Sequence, residues 1–228
     1  MDSKVIVALD FATENEALAF VDRIDVSDCR LKVGKQLFTS AGPRFVRRLV
    51  ENGADVFLDL KFHDIPNTVG EACRAAVDLG VWMLNVHAMG GLKMLEHARR
   101  AVSSDSSLLI AVTLLTSSDE MEMAQIGVPG QPKEFVNRLA ALSHTAGLDG
   151  VVCSAQDAPD LRASIGDTFT LVTPGIRRSD STQDDQKRIV TPRQAVDNGA
   201  SYLVIGRPIT KAKDPAAVLT QINSELNL

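Results

Sequence analysis

The sequence predicts an α/β fold of one domain, a (β/α)8 TIM barrel over residues 1–228. Three observations carry that expectation. Eight β-rich runs alternate with eight helix-spaced segments, a glycine junction recurs between helix and strand, and no Ser/Gly/Pro-rich linker divides the chain. Parallel neighbours need a crossover that is usually helical, so strict alternation points to a parallel sheet. At 228 residues the chain is about the usual size of one such barrel.

In chain order, the expected strand Val5–Asp10 leads to a helix over Glu14–Ile24, and Arg30–Val33 leads to Pro43–Asn52. Val56–Lys61 precedes Thr68–Leu79, Trp82–His87 precedes Leu92–Val102, and Leu108–Leu115 precedes Lys133–Thr145. Gly150–Ser154 with Gln156–Ile165, Phe169–Thr173 with Pro192–Asn198, and Tyr202–Ile205 with Pro215–Leu226 complete the set. Strands are read from short β-branched apolar runs, helices from apolar residues at helical spacing. Gly53, Gly80, Gly147 and Gly199 each fall between a helix and the next strand, where a left-handed residue caps the last carbonyls. Thr191-Pro192 and Asp214-Pro215 place a capping side chain before a first-turn proline. Two long connections, Thr116–Pro132 and Gly175–Val190, follow strands and are expected to lie on the catalytic face as lids or binding loops.

Composition narrows the function. The chain is 45% hydrophobic and 23% charged, an ordinary globular balance. A formal net charge of −5 gives no basic footprint for nucleic acid or an anionic membrane, so any anion must be held by a local cluster. Cys29, Cys73 and Cys153 are odd in number and lack C-x-x-C spacing, which argues against a disulfide framework and a zinc site. The amino terminus enters a strand at once, and no apolar stretch reaches the length of a membrane span. A cytoplasmic location is the expectation.

The third strand ends V-F-L-D-L-K-F-H-D-I-P-N-T. Alternation puts Phe57, Asp59 and Lys61 on one face and Val56, Leu58 and Leu60 on the other. The apolar set would face the helices, leaving Asp59 and Lys61 inside the barrel near its catalytic rim. By themselves these two fit an ion pair closing a barrel layer as well as a catalytic pair. Asp10 at the end of strand one and Lys32 on strand two tip the balance. With Asp64 they make five charges from three consecutive strands, which active sites gather and structural cores seldom do. Neighbouring carboxylates favour the ammonium form of Lys61, and the lysines favour ionised aspartates. Such a network suits stabilising a carbanion and then delivering a proton to it.

A second cluster lies where strands seven and eight end, at Thr173-Pro174-Gly175-Ile176-Arg177 and Ile205-Gly206-Arg207-Pro208. These are the loops that commonly bind phosphate in barrels of this kind. Glycines admit backbone N–H groups to the anion, and Arg207 offers a charge-assisted grip. Other residues have blander readings. His87 is expected to be satisfied by neighbours, His63 has the opposite strand parity and an open role, and Cys153-Ser154 lacks an adjacent base. Met121–Met123 reads as lid packing.

Asp59-x-Lys61-x-x-Asp64-Ile65-Pro66-Asn67-Thr68 resembles the signature of the orotidine 5′-phosphate decarboxylase family, the last step of UMP synthesis. The resemblance covers essentially the whole chain. It extends to A-L-D at Asp10, K-V-G at Lys32, L-T-S ending at Ser117, P-G-I-R at Arg177, D-Q-K-R around Gln186 and I-G-R at Arg207. It implies that Lys61 is the proton donor, held by Asp59 and Asp64 with Lys32 completing the network. It further implies that Asp10 and Lys32 bind the ribose hydroxyls, that Thr116 lies near the pyrimidine and that Gln186 sits on a closing loop. Arg177, Gly206 and Arg207 would hold the phosphate. Asp59, Ile65 and Thr68 are implied among the substrate contacts, a homodimer is implied in which Asp64 and Thr68 reach into the partner's site, and no metal or organic cofactor is implied.

Two rivals remain at this stage. One is a magnesium-dependent 3-keto-gulonate-6-phosphate decarboxylase or hexulose-phosphate synthase, which shares the D-x-K-x-x-D pattern but uses an acidic residue at the end of strand two; Lys32 stands there instead. The other is a non-catalytic nucleotide-binding barrel, which would need the phosphate grip but not the charge network.

Overall fold

Each strand-forming run is short and apolar because, in a closed parallel sheet, both of its faces are covered. In the computed structural model, which describes residues 3–103, 105, 107–116, 118–176 and 190–226, these runs close into a barrel. The strands are β1 (Val5–Ala8), β2 (Arg30–Gly34), β3 (Val56–Phe62), β4 (Met83–His87), β5 (Leu108–Val112), β6 (Gly150–Val152), β7 (Thr170–Thr173) and β8 (Tyr202–Ile205). They neighbour one another in sequence order, and β1 closes on β8 in parallel, with Val7 opposite Ile205.

The helices are α1 (Glu14–Val21), α2 (Lys35–Glu51), α3 (Pro66–Val77), α4 (Gly91–Ala101), α5 (Glu120–Gln125), α6 (Pro132–Thr145), α7 (Ala158–Ile165), α8 (Pro192–Asp197), α9 (Arg207–Thr210) and α10 (Pro215–Leu226). Three helical segments go beyond the sequence expectation. The first seven residues of α2 start directly from β2, and the helix kinks at Gly42, whose φ of 74° precedes Pro43. Helix α5 lies within the connection expected to be a lid, capped by an Asp119–Glu122 box. Helix α9 is a single turn after β8.

Side-chain alternation sorts the core into two layers. Val5, Val7, Leu9, Leu31, Val33, Val56 and Leu58 face the helices, while Ile6, Ala8, Phe57, Met83, Ile110, Val172 and Val204 fill the barrel. The end of the barrel at the strand N-termini is stoppered by Arg30, whose guanidinium lies 4.4 Å from the Trp82 ring and 4.9 Å from the Tyr202 ring. The expected glycine junctions occur as read. Gly53 and Gly147 have φ of 87° and 77°, and in each case the following N–H reaches back six residues' span to close the helix end (Ala54 to Leu49, Leu148 to Ser143). The expected caps also form: Thr191 accepts from Gln194 N–H and Asp214 from Ala217 N–H.

Candidate active site

The charged site starts from strand order. Because β1, β2 and β3 are adjacent, Asp10, Lys32 and Asp59 arrive side by side at the C-terminal rim. Lys32 Nζ stands 3.4 Å from Asp10 Oδ1 and 3.4 Å from Asp59 Oδ2. Lys61 Nζ donates to Asp59 Oδ1 at 2.6 Å. The result is an alternating chain, Asp10–Lys32–Asp59–Lys61, running from a largely exposed carboxylate to one whose side chain is only 13% exposed. A cavity of about 170 Å³ opens over it, bordered also by Gly34, Lys35 and Gln36. A side chain at Gly34 would crowd the Lys32 ammonium, since its Cβ would come within 3.2 Å of Nζ.

Burial pushes the Asp59 carboxyl up, but Lys32, Lys61 and the hydrogen bonds from Lys61 and Asn85 outweigh it and hold Asp59 below the usual carboxylate range. Two charges so little exposed are tolerable because each has an opposite partner.

Lys61 does not reach Asp59 by simple alternation. The β3–β4 ladder pairs Leu58 with Leu84 and then Phe62 with Val86, so Asp59, Leu60 and Lys61 together face Asn85. Lys61 has φ of 54°, the only positive value at a non-glycine among the described residues. Asn85 is fully buried, accepts from Lys61 N–H at 2.7 Å and donates to Asp59 Oδ1 at 2.7 Å. The sequence reading missed Asn85. Its available signal was an amide in mid-strand with the inward parity of Met83 and His87.

Asp64 stands apart from this network. It is exposed and accepts from Ile65 N–H at 2.6 Å. Thr68 is also exposed, and Ile65 is 66% exposed. His87 packs its ring 5.5 Å from that of His63 and accepts from Met89 N–H. Burial, with His63, Lys35 and Lys61 nearby, pushes His87 down to about 4, which keeps it neutral.

On the opposite side of the rim, Thr116, Gln131, Pro174, Gly175 and Arg207 border a single cleft. Gly206 links it to the charged chain, because a Cβ there would stand 3.5 Å from Ala8 and 3.6 Å from Asp10 Oδ2. Arg177 and Gln186 lie outside the described residues. Cys153 is buried and pushed up to about 12 by that burial and Asp157, and Ser154 is engaged with Asp157 at 2.6 Å, so neither is an activated nucleophile. Met123 is buried as expected of packing, whereas Met121 is 67% exposed.

Barrel closure, a network of charged side chains on β1–β3 and a cleft that takes in the ends of β7 and β8 define a class of barrel enzymes that work on small charged molecules. Residues 3–222 match the Orotidine 5′-phosphate decarboxylase / HUMPS family, and the chain belongs to it. A protein of Nitrosospira multiformis named orotidine 5′-phosphate decarboxylase is 57% identical over 99% of this chain and 94% of its own length. One of that name from Pseudoalteromonas atlantica is 59% identical over 97% of each chain. Among solved structures, orotidine 5′-phosphate decarboxylase from Lactobacillus acidophilus superposes with a TM-score of 0.89 at 37% identity, covering all of both chains.

Proposed function

We propose that this chain decarboxylates orotidine 5′-phosphate to UMP and CO2 without a metal or cofactor. The observation that carries the reading is the alternating chain Asp10–Lys32–Asp59–Lys61, with Lys61 Nζ held 2.6 Å from Asp59. The names of the relatives point the same way.

Breaking the bond between C6 of the pyrimidine and its carboxylate releases CO2 and leaves the electron pair on C6. That pair lies in the ring plane, where the π system gives it little relief, so fixed charge must supply the stabilisation. Lys61 supplies it as an ammonium and then transfers a proton to C6. Asp59 aims Lys61 through their 2.6 Å hydrogen bond, and it sits against the departing carboxylate. Asp10 and Lys32 take the ribose hydroxyls, and Thr116 lies beside the pyrimidine. Gly206 and Arg207 grip the phosphate, and the resemblance alone assigns Arg177 to the same grip and Gln186 to a closing loop. Binding energy spent on the distant phosphate then serves closure of the site.

Lys32 favours the metal-free reading over the magnesium-dependent one. Its ammonium, held between Asp10 and Asp59, stands where the magnesium-dependent enzymes place an acidic residue and puts a positive charge where the ion would sit. A homodimer is part of the proposal, with Asp64 and Thr68 completing the partner's site. It is supported by exposed Ile65, Met89 and Leu92 on the β3 and β4 side of the rim. A cytoplasmic location fits three free, buried cysteines.

The test is the ultraviolet absorbance change when purified protein meets orotidine 5′-phosphate in excess EDTA, with Lys61→Ala as control. Conversion to UMP by the unaltered protein alone is expected. Activity only with added magnesium on sugar phosphates would replace the proposal with the lyase alternative. Binding of UMP without any turnover would replace it with a binding barrel.

A further inference from the structure

We infer that Asn85 is a positioning residue for the reaction: its side-chain amide stands in for a strand peptide across the β3–β4 slip and fixes both the Lys61 backbone and the Asp59 carboxylate. The inference rests on the decarboxylase reading for its kinetic arm only.

The geometry leaves the amide one orientation. Lys61 N–H can only donate and the Asp59 carboxylate can only accept, so Oδ1 must face Lys61 and Nδ2 must face Asp59. Three residues of β3 oppose this single residue of β4, so no β4 backbone carbonyl is in register to receive the Lys61 N–H. Asn85 Oδ1 receives it instead. A lysine at φ of 54° is strained, and such a conformation persists only where its surroundings impose it. Asn85 is what imposes it.

The same amide meets the Asp59 oxygen that Lys61 grips, so Asp59 Oδ1 is held from two sides while Oδ2 faces Lys32. The charged groups around Asp59 are thus Lys32 from β2 and Lys61 from its own strand, with Asp10 beyond Lys32. Asn85 is the neutral member of the shell, contributed by β4. Its contribution is direction: it selects the rotamer of Asp59 and the exit vector of Lys61, and it carries no charge into the site.

The test uses Asn85→Ala and Asn85→Asp, with Ile110→Ala as a control opposite Asn85 on β5 that removes packing but no polar contact. Asn85→Ala frees the Lys61 backbone, and misplacing a reacting group by a fraction of its bond length in this way is expected to lower kcat about 100-fold while KM moves far less. Asn85→Asp is nearly isosteric and keeps the acceptor for Lys61 N–H, but it sets a carboxylate against Asp59. Its acid limb in the pH–rate profile is expected to move to higher pH. Carbon-13 NMR titration of Asp59, assigned with Asp59→Asn, reads the same change without turnover and is expected to move upward in both Asn85 variants. If the unaltered protein proves inactive on orotidine 5′-phosphate, the functional proposal falls, while the NMR arm still decides this one. Folded Asn85 variants with unaltered kcat and an unmoved Asp59 titration would overturn the inference. So would Ile110→Ala reproducing the same kcat loss and titration shift.

Discussion

Lys32 and Asp59 face each other across neighbouring strands at 3.4 Å, on the carboxylate oxygen that Lys61 leaves open. The pairing ties the geometry of the proposed site to acid stability. Asp59 sits below its ordinary value when folded, so its ion pairs add stability above the ordinary carboxylate range, and that stability is lost as pH falls through the folded value. Replacing Lys32 by Met removes one of the two cations and leaves burial less opposed. The acid unfolding midpoint, followed by circular dichroism, is expected to move to higher pH in Lys32→Met.

Lys61 and Arg207 are assigned separable tasks. Lys61→Ala is expected to lose nearly all turnover yet still bind UMP. Arg207→Ala removes the proposed charge-assisted grip on phosphate and is expected to cost about 10- to 100-fold in catalytic efficiency. Steady-state kinetics with calorimetric UMP binding checks both; equal loss of UMP affinity in the two variants contradicts the division.

His87 gives stability a second pH dependence. Its folded value of about 4 lies below the unfolded value of about 6.5, so within that window the unfolded chain holds a proton that the folded chain excludes. Stability therefore falls as pH drops through the window. His87→Asn, which can still accept from Met89 N–H, is expected to flatten the dependence of Tm on pH there.

Arg162 knits the opposite end of the barrel. It donates to the carbonyls of Gly199, Gly166 and Phe169 and to Ser201 Oγ, which in turn accepts from Leu171 N–H. Arg162→Met strands several acceptors and is expected to cost about 2–3 kcal/mol in chemical denaturation. Being remote from the catalytic rim, it is expected to leave kcat unchanged.

Ile65, 66% exposed, tests the proposed homodimer. Ile65→Asp puts a charge on the exposed apolar rim and is expected to weaken self-association by about 30-fold or more. Sedimentation velocity reads the loss, and if the proposed homodimer shares its sites, specific activity is expected to become concentration-dependent.

Much of this architecture is legible in residue patterns, and the failures have causes. Tyr202–Ile205 and Pro215–Leu226 end where the pattern ends. The pattern over Leu108–Leu115 outruns β5 because Thr113-Leu114-Leu115 stays strand-like in composition after the strand ends at Val112. The start of α2 was hidden because Gly42-Pro43 resembles a helix start and so masks the turns before it. The Asp119–Glu122 box starts α5 inside a connection whose composition is that of a loop. In the site, the charges were visible because ionisable residues at strand ends stand out. Asn85 was not, because its importance depends on a register slip, which belongs to the pairing of two strands and is written in neither alone.

Closure of β1 on β8 carries a consequence for how the protein is made. Asp10 emerges from the ribosome early and Gly206 nearly two hundred residues later, yet the two end as immediate neighbours. A growing chain can therefore display the lysines and aspartates of its first strands long before the opposite wall of the site exists. Competence should switch on abruptly with the last strand, and an interrupted translation product would hold most of the sequence and none of the chemistry.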